Sequence, residues 1–248
     1  LETAMDELAV QLVVDPVELR RRNFAEQDAN QGVPWSSNHL PECLRIATDR
    51  FGWARRNPNP GSMHDGGDIL GWGFAVASWP AHRKEASAKL EFRADGTARA
   101  ICATQDIGTG TYTVLAQVVS QLTSLPFARI DVAIGDSAFP PGPISGGSMA
   151  PASVGPAIAG ATREAVRKLL AAVTAPDGVF AGADPSSLAL RDGAIVDRGG
   201  RKVELRDALR RVRSVPIVGK AHAELGEAAK KFSFRSFGSF NPRPGILL

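Results

Sequence analysis

With 248 residues, 44% of them hydrophobic and 22% charged, the chain has enough apolar surface for a substantial core, which excludes global disorder and fits one large domain or two small ones. Its 29 basic and 26 acidic residues leave a net charge of only +3, spread along the chain apart from the local run Arg20-Arg21-Arg22, so a nucleic-acid surface is not indicated. Cys43 and Cys102 stand far apart, which excludes a disulfide framework and a CxxC zinc site and predicts two reduced, buried thiols.

The apolar residues Ala4, Met5, Leu8, Leu12, Val17 and Leu19 recur at helical spacing between Glu2 and Asn23, interrupted at Asp15-Pro16. This predicts helix, turn, helix, with Asp15 as cap and Pro16 at the first helical position, where its missing N–H costs nothing. Another helix is expected from Pro41 to Trp53, with Leu44, Ile46, Ala47 and Phe51 on its apolar side, followed by an exposed loop over 57–67. Strands are expected over Ile69–Trp79, Ala86–Phe92 and Ala98–Thr104. The Asp95-Gly96 pair between the last two is a hairpin signal.

Beyond Asp106–Gly110, a helix over Thr113–Thr123 and a short strand over Arg129–Ile134 lead into a long Pro/Gly/Ser loop, Gly135–Ala150, of the kind that is usually functional. An alanine-rich helix, Ser153–Val173, follows. Short strands at Ser187–Leu190 and Ala194–Val196, a helix near Leu205–Val212 and a strand over Val215–Leu225 complete the pattern. Strands and helices mix without repeat or heptad, so the expected fold class is α+β. No apolar run approaches the roughly 20 residues of a membrane-spanning helix. No basic-then-apolar signal opens the sequence at Leu1, and the compartment stays unknown.

Two small-residue runs carry the chemistry. In Gln105-Asp106-Ile107-Gly108-Thr109-Gly110-Thr111 a strand gives way to a helix, and glycines there permit a sharp turn whose amides can face an anion. The run matches neither a Walker loop nor the dinucleotide fingerprint, so a plain tight turn and an anion cradle both stay open. Gly146 to Gly155 is again a small-residue loop entering a helix, with Ser153 expected as its N-cap; two such loops together can hold one large polyanion. His39, His64, His82 and His222 have no metal-ligand spacing, and no GxSxG elbow supports serine hydrolysis. Trp35, Trp53, Trp72 and Trp79 read as core or interface aromatics.

At these loops the chain resembles the molybdenum-binding large subunit of the xanthine dehydrogenase and aldehyde oxidase family, bacterial type. The resemblance runs from Glu2-Thr3-Ala4-Met5-Asp6-Glu7-Leu8-Ala9 through Asp15-Pro16-Val17-Glu18-Leu19-Arg20-Arg21-Arg22-Asn23, the Asp95-Gly96 hairpin, Gln105 to Gly110 and Gly135-Asp136-Ser137 to Gly146–Gly155, covering 1–238. It implies a helical segment and connecting loop at 1–67, an α+β molybdopterin-binding region at 68–238 and a divergent tail at 239–248. It also implies that Gly108, Thr109 and Gly110, with Ala152, Ser153, Val154 and Gly155, wrap the pterin and phosphate end of the cofactor. Thr109 takes the place of a glutamine common in eukaryotic members, and Gly155 that of a serine in some relatives.

What the resemblance implies further is a molybdopterin, in its cytosine dinucleotide form, that hydroxylates an aldehyde or N-heterocycle with oxygen from water. Electrons leave through iron–sulfur and FAD partner subunits. The family's catalytic glutamate motif has no counterpart here: Ala223-Glu224-Leu225-Gly226-Glu227-Ala228 is wrongly placed for it, so no catalytic base and no protein metal ligand is assigned. The expectation is therefore a fragment, truncated at both ends, with exposed apolar surface. Two other functions are weighed: an inactive interaction or assembly module for an iron–sulfur partner, and a phosphate-ligand enzyme relying on Asp106 or Asp136.

Overall fold

A computed structural model describes residues 1–28, 32–35, 38–77, 82–212 and 215–225, which fall into two compact units, within Leu1–Pro80 and within Ala81–Lys231. The expected tail 239–248, Trp79 and Glu227 lie outside the described residues.

In the first unit, α1 (Glu2–Gln11) and α2 (Pro16–Arg22) meet at the expected break. The Asp15 carboxylate accepts hydrogen bonds from the Val17 and Glu18 amides, two of the donors that a helix start leaves unpaired, and Pro16 opens the first turn. Asp15 also accepts from the Trp53 indole at 2.9 Å, so the cap fixes the second residue beyond α3 (Leu40–Phe51). Arg20 on α2 is buried and forms a hub: it donates to the Glu2 and Asp6 carboxylates of α1 and to the Pro16 carbonyl, and lies over the Phe74 ring. Burial alone would raise the Glu2 pKa; a hydrogen bond from the Val76 amide and the Arg20 guanidinium more than offset that, and the net direction is down.

The strand expected over Ile69–Trp79 does not form within the described residues. Only Ile69 pairs, in a two-residue ladder of His64–Asp65 with Asp68–Ile69. Residues 71–77 keep a strand's alternation, with Trp72, Phe74 and Val76 turned inward, but find no ladder partner. Their backbone is tied instead to side chains, Val76 N–H to Glu2 and Trp72 O to Arg56. Trp72 and Phe74 pack edge-on against Phe51 and the buried Trp53, so side-chain packing, not pairing, produced the pattern.

The second unit is built on a four-stranded sheet. The hairpin β1 (Ala86–Phe92) and β2 (Ala98–Cys102) forms as expected, with Phe92 opposite Ala98. β2 then crosses through α4 (Thr111–Thr123) to β3 (Ile130–Ile134), which lies parallel beside it. The helix α5 (Ala150–Thr174) packs along β1 and against α4. A second, three-stranded antiparallel sheet holds β4 (Leu188–Arg191), β5 (Ala194–Asp197) and β6 (Lys202–Glu204), of which β6 was not expected. A short α6 (Leu205–Leu209) follows, and β7 (Ile217–Ala223) returns to pair antiparallel with β1, giving the order β7-β1-β2-β3. The class is α+β.

Alternation decides which face of the main sheet is covered. Ala86, Ala88, Leu90 and Phe92 of β1 are buried while Ser87, Lys89 and Glu91 point the other way. Against the buried face lie Leu115 and Val119 of α4 and Val154, Ile158 and Leu169 of α5, all fully buried, each contributing roughly 1.5–3 kcal/mol relative to exposure. Small residues face each other between this helix and the sheet. A Cβ on Gly160 would stand 2.8 Å from Ala221 Cβ, and one on Gly219 would run into the backbone of Ala161 and Ala165.

Cys102 ends β2 inside this core, and burial pushes its thiol up to about 11; Cys43 is only partly buried, contrary to expectation for that residue. Disulfide-exchange labelling at pH 8 should therefore modify Cys43 readily and Cys102 only on denaturation. Rapid reaction of two thiols per native chain would contradict the packing.

Candidate cofactor-binding site

The first loop is organised by one side chain. Asp106 Oδ1 accepts from the amides of Gly108 and Thr109, both at 2.8 Å, and of Gly110 at 3.2 Å, and Oδ2 from Tyr112 at 3.4 Å. These donors converge because Gly108 and Gly110 adopt φ of +97° and +78°, a left-handed backbone that is costly for residues with a Cβ, and nothing lies within 4 Å of where that Cβ would be. α4 starts at Thr111, two residues before the expected start, because Gly110 serves as its N-cap. Burial tends to raise the Asp106 pKa, but the four amides outweigh it and hold the carboxyl below its usual range. The amides expected to meet an external anion thus already face an internal one.

The second loop starts α5 earlier than expected. The helix begins at Ala150 with Pro151 in its first turn, so Ser153 is not the N-cap but lies inside the helix, fully buried. Its hydroxyl donates to the Met149 carbonyl and accepts from the Lys84 amide. Val154 joins the hydrophobic core, Ala152 is half-buried, and Gly155 is buried yet has nothing within 4 Å of a Cβ position, leaving an open slot on the helix. Met149 provides no side-chain cap, so the first-turn amides of α5 lack the carboxylate that those of α4 possess. Ser148 just before it takes φ +54°, a conformation that non-glycine residues hold only under constraint.

The approaches to the two helices are joined. Ala103 N–H donates to Pro140 O, Thr104 Oγ1 to Pro143 O at 2.9 Å, and Ser145 N–H to Gln105 Oε1 at 2.9 Å. The strand end that leads to Thr109 and the loop that leads to Ser153 are therefore held side by side, and α4 packs on α5 beyond them. Sequence inspection identified both loops but not this seam, because contacts between residues 40 apart leave no local periodicity. Each loop also exposes an isoleucine, Ile107 and Ile144, both 69% exposed, and Tyr112 of α4 is 47% exposed. Among the described residues no cluster of three His, Cys, Asp or Glu could hold a metal ion.

The family model for a molybdopterin cofactor-binding domain matches residues 46–240. The chain belongs to that family. This molybdopterin-binding domain is 31% identical over 247 residues to the aldehyde oxidoreductase molybdenum-binding subunit PaoC of Escherichia coli strain K12, covering 99% of the chain and 32% of the relative. It is also 32% identical over 139 residues to the xanthine dehydrogenase molybdenum-binding subunit of E. coli O157:H7, covering 53% of the chain and 18% of that relative. The fold matches quinoline 2-oxidoreductase from Pseudomonas putida 86 with a TM-score of 0.61 at 16% identity, covering 90% of the chain and 32% of that protein. The domain thus spans about a third of the length of PaoC.

The donor set fits an anionic pterin cofactor. A carboxylate already sits on the amides of the first loop as a phosphate oxygen would, the second loop ends in a helix start without a side-chain cap, and Gly155 leaves room beside it.

Proposed function

We propose that residues 103–112 and 143–155 together hold the phosphate and pterin end of a molybdopterin, in the cytosine dinucleotide form, within a molybdenum hydroxylase of aldehydes or N-heterocycles. The observation that supports this reading is the hydrogen-bonded seam, Gln105 to Ser145 and Thr104 to Pro143, which ties together the segments leading into the two glycine-rich helix entries. In this proposal Gly108, Thr109 and Gly110 present backbone amides to the phosphate, and Ala152 and Gly155 allow close approach. Ser153 and Val154 anchor the helix from inside the core. When bound, the cofactor supplies the oxidative hydroxylation chemistry, with water as oxygen source. The chain's part is to bind and orient it, while iron–sulfur and FAD subunits accept the electrons.

Gly110→Val tests this, since a branched side chain at φ +78° both strains the turn and fills the space over the amides. Expressed in a host that makes the cofactor, the variant should carry at least about tenfold less pterin per chain than the parent, with an unchanged far-UV circular dichroism spectrum. Equal pterin content, or an iron–sulfur partner co-purifying with a parent chain that never carries pterin, would defeat the assignment; the latter would favour an assembly module.

A further inference from the structure

Basic and acidic residues are spread along the whole chain, but their surplus is not. Residues 191–212 hold seven basic and four acidic side chains, a surplus of three that equals the net charge of the entire chain. We propose that the outer face of the sheet β4-β5-β6 is a docking surface for an acidic protein partner, one that presents discrete carboxylates around a small apolar centre.

Register places the charges on one face. Leu190, Ile195 and Val203 stand opposite one another across the three strands and pack into or against the core. Successive residues of a strand point to opposite sides, so the rows that flank them, Arg191-Ala194-Glu204 and Ala189-Val196-Lys202, face away from it. Arg129 reaches the same face, with Nη1 3.8 Å from the Glu204 carboxylate, and Lys202 Nζ lies 3.5 Å from that carboxylate. One carboxylate cannot neutralise both, and Arg191 forms no ion pair among the described residues. Arg206 and Arg211, on α6 and just beyond it, are exposed and likewise form none among the described residues. Uncompensated charge concentrated on one face steers a partner of opposite sign.

The mixture of signs narrows the partner's chemistry. Asp192 and Glu204 stand among the cations, so a nucleic acid, charged at every phosphate, would meet repulsion that a protein avoids by placing its carboxylates selectively. Ala189, Ala194 and Val196 provide small apolar side chains between arginine and lysine, which matches the apolar core and polar rim of protein interfaces, where arginine is favoured.

The test titrates the full chain with a short fluorescein-labelled poly-L-glutamate, read by fluorescence anisotropy and by amide NMR shifts. The parent should bind it saturably, with shifts concentrated in residues 189–206 and affinity falling as salt screens the charges. Arg191→Glu combined with Lys202→Glu should weaken binding at least about tenfold, because two attractions become repulsions. Arg191→Gln with Lys202→Gln, which only removes the charges, should weaken it by a smaller factor. Arg163→Glu with Lys220→Glu makes the same change of charge at exposed positions on α5 and β7 and should bind as the parent does. An equal loss in that control pair would reduce the effect to overall charge and overturn the proposal, as would shifts confined to other residues or no saturable binding by the parent. Tighter binding of single-stranded DNA or of phosphatidylglycerol vesicles at the same amides would also overturn it, by assigning the face to a nucleic acid or a membrane. None of these outcomes bears on the cofactor-loop reading.

Discussion

Replacing Gly219 by valine is expected to unfold the second unit at temperatures where the parent is native. Gly219 lies on β7 under α5, and even a Cβ there would run into the Ala161 carbonyl and the Ala165 amide, with Ala165 Cβ 2.9 Å away. Backbone on both sides leaves nothing flexible to yield, so β7 must lift from the helix or the helix must bend. Overpacking of a well-filled core typically costs 1–3 kcal/mol, and a clash against backbone belongs at or above the upper end, about 3 kcal/mol. That is a large part of an ordinary domain's stability. Gly219→Ala should do less harm but remain clearly destabilised. The measurement is thermal unfolding by far-UV circular dichroism, and a valine variant within about 2 °C of the parent would show that β7 does not pack as described.

Arg20→Ala should loosen the first unit by about 3 kcal/mol, because it strands the Glu2 and Asp6 carboxylates and the Pro16 carbonyl that the guanidinium satisfies. No tryptophan occurs in the sequence beyond position 79, so intrinsic tryptophan fluorescence carries no signal from the second unit. Denaturant unfolding followed by that signal should move to lower midpoint in Arg20→Ala, and Arg20→Lys should recover only part, since an ammonium cannot reproduce the two-sided fork. An unchanged midpoint would remove Arg20 from its place as a hub. The same signal carries a pH signature. Glu2 has a folded pKa held below its ordinary value of 4.5, so its contribution is complete above that value and is lost as pH falls through the lowered one. Parent stability should decline on acidification below about pH 4.5, and this decline should be smaller in Arg20→Ala, where part of the depression is gone.

Where local chemistry decides an element, the sequence was a reliable guide. Asp15-Pro16 set the break between α1 and α2, Asp95-Gly96 the hairpin, and the apolar period the course of α4 and α5. It misled where one pattern serves two structures. The alternation around Trp72, Phe74 and Val76 predicts a strand, yet it records aromatic packing on Trp53 and Phe51. Ser153 looked like a cap because serine before an apolar run usually is one, whereas Pro151 let the helix start earlier and carried the serine into the core.

For the site, the composition of Gly108-Thr109-Gly110 and of Ala152 to Gly155 was enough to single out both loops and to support the resemblance. It determined which segments lack side chains and can therefore approach a ligand. Only the tertiary structure decided that the approaches to these segments are joined, through Gln105 with Ser145 and Thr104 with Pro143, and that the first loop's amides are already engaged by Asp106. Backbone freedom is a property of each residue and is written locally. Which donors remain available for a ligand depends on partners far away in sequence or on the way a single side chain folds back, and no spacing rule encodes that.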